Sequence, residues 1–316
     1  MSDVDHDTTG RPEAEPPNWY ALVVGLELGA PSFDLGPGLV LRKLPKPLSA
    51  FDLAACGAVG FREWALLEPL AAGATAEIES STELAKTPGY DGLNKVWLVS
   101  ALLVLRGFHR HICPAVSAHP WSRVAGNVTT SAEYRAGAKV ASKPDLPPFV
   151  GRILDFHLQM FGFDAGPQAV FGATEAKWVA DHLETFNRLA SESRRFRFAL
   201  EAAIDSRYAK DERAALARIW SGIEGLFDVS SELVFRLSLS IAMVLAPRGQ
   251  EQLELFDKAK KLYGVRSKAV HGSEMDSEKM AKGLVESWHL LRRLLLDAVL
   301  RGAVRTEADV NKAIFG

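Results

Sequence analysis

The stretch Asp211-Glu-Arg-Ala-Ala-Leu-Ala-Arg-Ile-Trp-Ser-Gly-Ile-Glu-Gly-Leu-Phe227 decides how the second half of this chain folds. Leu216, Ile219, Trp220, Ile223, Leu226 and Phe227 recur every three or four residues, which puts them on one face of a helix begun at Asp211. The same pattern extends in both directions. Upstream, Thr174 precedes a long run through Trp178, Leu183, Phe186 and Leu189. Downstream, Ser230 or Ser231 can cap a helix carrying Leu233, Leu237, Ile241, Val244 and Leu245, stopped by Pro247. A further helix is predicted from about Gln250 to Tyr263, and a last long one from Asp276 with Met280, Leu284, Trp288, Leu291 and Leu295 on one stripe. Apolar stripes need partners, so residues 172–316 read as an all-α helical bundle with Trp178, Trp220 and Trp288 in its core.

Before the Gly- and Pro-bearing segment 162–172 the pattern is mixed. Tyr20–Leu28 is an apolar run that carries Val23 and Val24, and Gly36-Pro37-Gly38 separates Phe33–Leu35 from Leu39–Leu41 as strand, turn, strand. Ala74–Glu79 alternates as a half-buried strand does. Asp91 can cap a helix over Leu93–Arg106, and the prolines of Gly137–Pro148 break regular structure. Residues 18–165 are therefore expected to form an α+β domain, and the protein to be mainly α overall. Residues 1–17 hold Asp3, Asp5, Asp7, Glu13 and Glu15 against Arg11, with three prolines and little apolar surface, and read as a flexible acidic tail.

Of the 316 residues, 47% are hydrophobic and 24% charged, which excludes a disordered or collagen-like chain. The formal net charge of −2 supplies no overall field for a polyanion, so any nucleic-acid contact must be a local patch. Two cysteines, Cys56 and Cys113, make no disulfide framework and suit a reducing compartment. The apolar stretch Val96–Leu105 falls far short of the ~20 residues a membrane span needs. A soluble, cytoplasmic protein without membrane contact is the expectation.

The local patch lies in Lys258–Gly272. Lys258, Lys260, Lys261, Arg266 and Lys268 stand there without one acid between Lys258 and His271. A guanidinium presents a planar fork to phosphate oxygens, and an imidazole of ordinary pKa ~6.5 exchanges a proton near neutral pH. Arg266 with His271 therefore suits metal-free cleavage of RNA by the ribose 2′-OH. In an ideal helix the five-residue separation turns the two side chains roughly 140° apart. Either Arg266 sits at a helix entrance after Gly264, or a second subunit completes the site. A structural alternative has His271 closing a helix before Gly272 while Arg266 caps a carbonyl.

Three blocks in order, Ile219-Trp-Ser-Gly-Ile-Glu-Gly-Leu-Phe227, Ser230–Ala242 and Lys261-Leu-Tyr-Gly-Val-Arg-Ser-Lys-Ala-Val-His-Gly272, resemble the HEPN superfamily, most closely its ApeA-like branch. The likeness covers about residues 175–300. It implies an all-α domain that forms a homodimer and, in active members, an endoribonuclease that needs no metal or cofactor and leaves a 2′,3′-cyclic phosphate. By that likeness Arg266 and His271 are the catalytic pair, Ser267 is the adjacent polar residue, and Glu224 is an acid that orients the pair. Lys258, Lys260, Lys261 and Lys268 would gather the RNA backbone. Many such proteins serve in phage defence or as toxins, some under a regulatory partner; others keep only an inactive scaffold that binds RNA or protein. A partly buried Glu224 paired with an arginine for structural reasons is the plain alternative to an orienting role.

Two further clusters stand out. On a strand, His109, His111 and Cys113 would point to one side and offer zinc ligands, although a fourth ligand is not evident. Arg194-Arg195-Phe196-Arg197 with Phe198 reads either as a second RNA contact or as a helix segment with solvated arginines and buried phenylalanines. Gly36-Pro37-Gly38 lacks the Lys and Ser/Thr of a phosphate loop, and no Gly-x-Ser-x-Gly, His-Glu-x2-His or dinucleotide-binding fingerprint occurs.

Overall fold

The computed structural model describes residues 18–81, 92–126, 137, 148–154, 161–163, 169–227 and 233–315. It is mainly helical, with an antiparallel sheet in its N-terminal half. Strands β1 (Asn18–Val24), β2 (Ser32–Gly36), β3 (Leu39–Lys43), β4 (Ala74–Ser81), β5 (Ile112–Ser117) and β6 (Gly151–Ile153) are ordered β2-β3-β4-β1-β5-β6. β1 is central. Trp19, Ala21 and Val23 face one apolar cluster while Tyr20, Leu22 and Val24 face another, so its sequence is continuously apolar instead of alternating. At the β2–β3 turn, Gly36 (φ 122°) and Gly38 (φ 65°) take backbone conformations that side chains disfavour, and the Gly36 N–H is held by Asp34 Oδ1 at 2.9 Å.

The outer face of the sheet is covered by α1 (Ala50–Ala58) and short 3₁₀ turns. α1 begins with a capping box in which Ser49 Oγ accepts from Asp52 N–H at 3.1 Å and Asp52 Oδ2 accepts from Ser49 N–H at 3.0 Å. The other face receives α2 (Gly92–Arg106). Its residues Val96, Leu98, Val99 and Ala101–Leu105 are buried all round, because α2 lies between the sheet and the helical half. This accounts for the apolar stretch Val96–Leu105, and among the described residues no helix is long and apolar enough to cross a membrane.

The helical half comprises α3 (Ala173–Glu192), α4 (Arg194–Asp205), α5 (Glu212–Phe227), α6 (Leu233–Leu245), α7 (Gln250–Val270), α8 (Ser277–Arg301) and α9 (Glu307–Phe315). α3 starts at Ala173 after an extended Gly172, so Thr174, expected to precede the helix, lies within its first turn. α4 and α5 pack closely because Gly222 lacks a side chain: a Cβ there would lie 2.7 Å from that of Ala202. α8 runs through the middle, with Asp276 accepting from Lys279 N–H at 3.0 Å and Gly302 (φ 71°) closing its end. Trp288 on α8 is fully buried, stacked on Phe163 at 4.5 Å between ring centres, and donates to Ala203 O at 3.3 Å. Trp220 is buried likewise, whereas Trp178 is half-buried beneath the Arg106 guanidinium at 4.9 Å. One apolar cluster extends from β1 and α2 through the helical half. The expected caps at Asp91, Ser230 and Ser231, the tail 1–17 and most of Gly137–Pro148 lie outside the described residues.

Candidate functional site

The helix expected to end at Tyr263 continues to Val270, and Arg266 therefore lies inside α7 and not at a helix entrance. Gly264 does not break it. A glycine in a helix costs about 1 kcal/mol against alanine, and Leu262, Val265 and Ala269 carry the buried stripe past it, with Gly264 itself on the exposed side.

His271 is the C-cap of α7, as the structural alternative had it, and its side chain is exposed. The turn around it is closed by three backbone bonds: His271 N–H to Ser267 O at 3.0 Å, Gly272 N–H to Ala269 O at 3.3 Å, and Ser273 N–H to Lys268 O at 3.0 Å. With Gly272 at φ 71°, the last two bonds form a Schellman motif. Ser267 thus meets His271 through its carbonyl. Arg213, at the start of α5, donates Nη1 to Ala269 O at 2.9 Å and Nη2 to Ser273 O at 3.1 Å, on either side of His271.

Arg266 is engaged elsewhere. Its Nη2 lies 3.1 Å from Glu224 Oε1 and 3.4 Å from Oε2, and its guanidinium stands 5.3 Å above the Tyr263 ring. Helical side chains lean towards the N-terminus, which brings Arg266 over Tyr263 and turns it from the helix end that carries His271. Tyr263 packs edge-on against Trp220 at 5.1 Å. Burial raises its phenol pKa, the Arg266 cation opposes this, and the facing Glu224 adds to it. The fold therefore brings Glu224, Arg266 and Tyr263 together and sets Arg213 on the backbone of the turn that carries His271. Lys258 pairs with Glu286 at 3.7 Å, while Lys260, Lys261 and Lys268 are exposed and unpaired among the described residues.

His109 and His111 precede β5, so the expected strand trio with Cys113 does not form. His111 is fully buried. Its Nδ1 donates to Phe108 O at 2.6 Å, which leaves Nε2 to accept from Ser100 Oγ at 2.8 Å. Burial, then the nearby Arg207 cation, lowers its pKa to about 3, and burial pushes the Cys113 thiol up to about 12. His109 packs edge-on against Trp288 at 5.5 Å. No group of three metal-ligating side chains occurs among the described residues. Of the arginine cluster, Arg197 is not simply solvated: it donates to Ala190 O at 2.7 Å and Ser191 O at 2.8 Å, capping α3. Phe196 is buried, but Phe198 is 39% exposed, with the Arg218 guanidinium 5.3 Å from its ring centre. A cleft of about 370 Å³ opens beside Gly25, Leu28, Lys43 and Thr75 in the sheet half and includes none of the expected site residues.

Comparison with protein-family models, with curated proteins and with solved structures returns no match.

Proposed function

We propose that the chain is a metal-independent endoribonuclease of the HEPN type, acting in the cytoplasm as a homodimer in phage defence or a toxin-like role. The observation that carries this reading is an exposed imidazole on a closed helix-end turn, on the same helix as the unpaired cations Lys260, Lys261 and Lys268. In the reaction, the 2′-OH loses its proton as O2′ bonds to phosphorus. The P–O5′ bond breaks, the 5′ oxygen takes up a proton, and a 2′,3′-cyclic phosphate and a 5′-OH result. His271 serves one of the two proton transfers, and guanidinium and ammonium groups stabilise the charge on the phosphorane. Arg266, paired with Glu224, faces away from its own His271, so a second copy would complete the composite site. Exposed Phe235, Leu253 and Val270 on α6 and α7 support an interface on those helices.

A catalytically silent HEPN scaffold that binds RNA or a regulatory protein is the second reading, favoured by the neutralisation of Arg266 by Glu224. The two separate on incubation of single-stranded and structured RNA with the purified chain and a chelator. Fragments with 2′,3′-cyclic phosphate ends, produced faster per chain as dimers form, are expected of the enzyme. Intact RNA that still binds the chain is expected of the scaffold.

A further inference from the structure

We infer that Arg213, not Arg266 of the same chain, is the guanidinium that grips a phosphate beside His271. The inference rests on reading the His271 turn as a site for RNA phosphates, and it adds to that site a residue on a different helix.

A helix C-terminus is a poor place for an anion, because its unpaired carbonyls carry roughly half a negative charge. His271 sits at such an end. A phosphate approaches more readily where that partial charge is offset, and Arg213 places its cation there, donating to Ala269 O in the last turn of α7 and to Ser273 O just beyond the helix. These acceptors lie two residues before and two residues after His271, so the guanidinium spans the turn that presents the imidazole. Each terminal nitrogen of the fork carries a second hydrogen beyond those two bonds, which leaves donors for a ligand. Arg213 is half-buried, and no carboxylate among the described residues pairs with it. Its position is fixed from both sides. The Schellman turn holds the acceptors, and Asp211 Oδ1 accepts the Ala214 N–H at 2.9 Å at the start of α5. Arg266 differs in that a carboxylate already offsets its charge: Nη2 is paired with Glu224 and the guanidinium is laid over Tyr263, with Nε buried and without an acceptor among the described residues.

Inorganic phosphate, followed through the His271 ring resonances in NMR, tests the assignment. In the parent chain the His271 signals are expected to move saturably with phosphate. Arg213→Ala should weaken that binding by about tenfold or more, the usual effect of removing a charge-assisted bond. Arg213→Lys, which keeps a donor for the cap carbonyls, should recover only part of it because the fork is lost. Arg218→Ala, a cation lost outside the site, should bind as the parent does. Equal affinity in the parent and in folded Arg213→Lys and Arg213→Ala overturns the inference, as does loss of binding in Arg266→Ala with retention in Arg213→Ala. Failure of the two readings is separable. A chain that cuts no RNA yet binds phosphate through Arg213 sinks only the ribonuclease, whereas RNA cleavage at parental rate by Arg213→Lys and Arg213→Ala sinks only the Arg213 assignment.

Discussion

Alanine at position 271 is expected to leave the fold standing while slowing RNA cleavage by about a hundredfold to ten-thousandfold, the range for removal of a general acid or base. The two effects separate because His271 holds its place through backbone atoms. The bond to Ser267 O and those of Gly272 and Ser273 do not involve the imidazole, and the ring is exposed. An exposed side chain of this kind changes stability by roughly 0.5 kcal/mol or less. Cleavage rates in chelator, beside thermal melts of parent and variant, read both quantities. Undiminished cutting by a folded His271→Ala removes the imidazole from the chemistry.

The second large effect is on stability in acid. His111 is buried as the neutral ring, with a pKa near 3 against an ordinary ~6.5. Between those values the unfolded chain binds a proton that the folded chain refuses. Stability is therefore expected to fall as pH drops from about 6.5 towards 3, by about 1.4 kcal/mol per pH unit once well below 6.5 and about 4–5 kcal/mol in all. Glu77, whose pKa burial raises, acts in the opposite sense, taking up its proton more readily folded than unfolded. A comparison that changes only position 111 isolates the histidine. His111→Asn retains a donor towards Phe108 O and has no proton to gain, so its denaturant-unfolding free energy should vary with pH less steeply than the parent's between pH 6 and 4. Parallel profiles would contradict the assignment. The consequence is structural as well as energetic. Arg207, in the turn between α4 and α5, donates to His111 O at 2.5 Å and accepts from Phe161 N–H at 2.8 Å, so protonating His111 loads the contact between the sheet half and the helical half.

The helices were legible because their stripes repeat over many turns: Leu216 to Phe227 marks α5, and Met280 to Leu295 marks α8. β1 was legible as an apolar run, although nothing local said that both its faces would be covered. What stayed hidden depends on distant parts of the chain. β5 carries Pro114 within it, which ordinarily demotes a run from strand to loop, and β6 spans only Gly151–Ile153. Gly264 looks like a helix end until Val265 and Ala269 are seen to bury the next turn. Spacing supplied the roughly 140° between Arg266 and His271 but not which acid or ring would claim the arginine. Glu224 was singled out from the sequence, and its contact with Arg266 fits both readings given to it. Arg213 carried no signal at all, since only the packing of α5 on α7 brings it 56 residues along the chain to Ala269.

The most direct test of the central claim uses two RNA oligonucleotides that differ by one oxygen. One is all-ribose, and the other carries a single 2′-deoxynucleotide at the position cut in the first. With a chelator present, the chain is expected to cleave the first to a 2′,3′-cyclic phosphate and to leave that bond of the second whole. Equal cleavage of both at that bond, or cleavage that ceases when metal is withdrawn, would contradict the mechanism centred on His271.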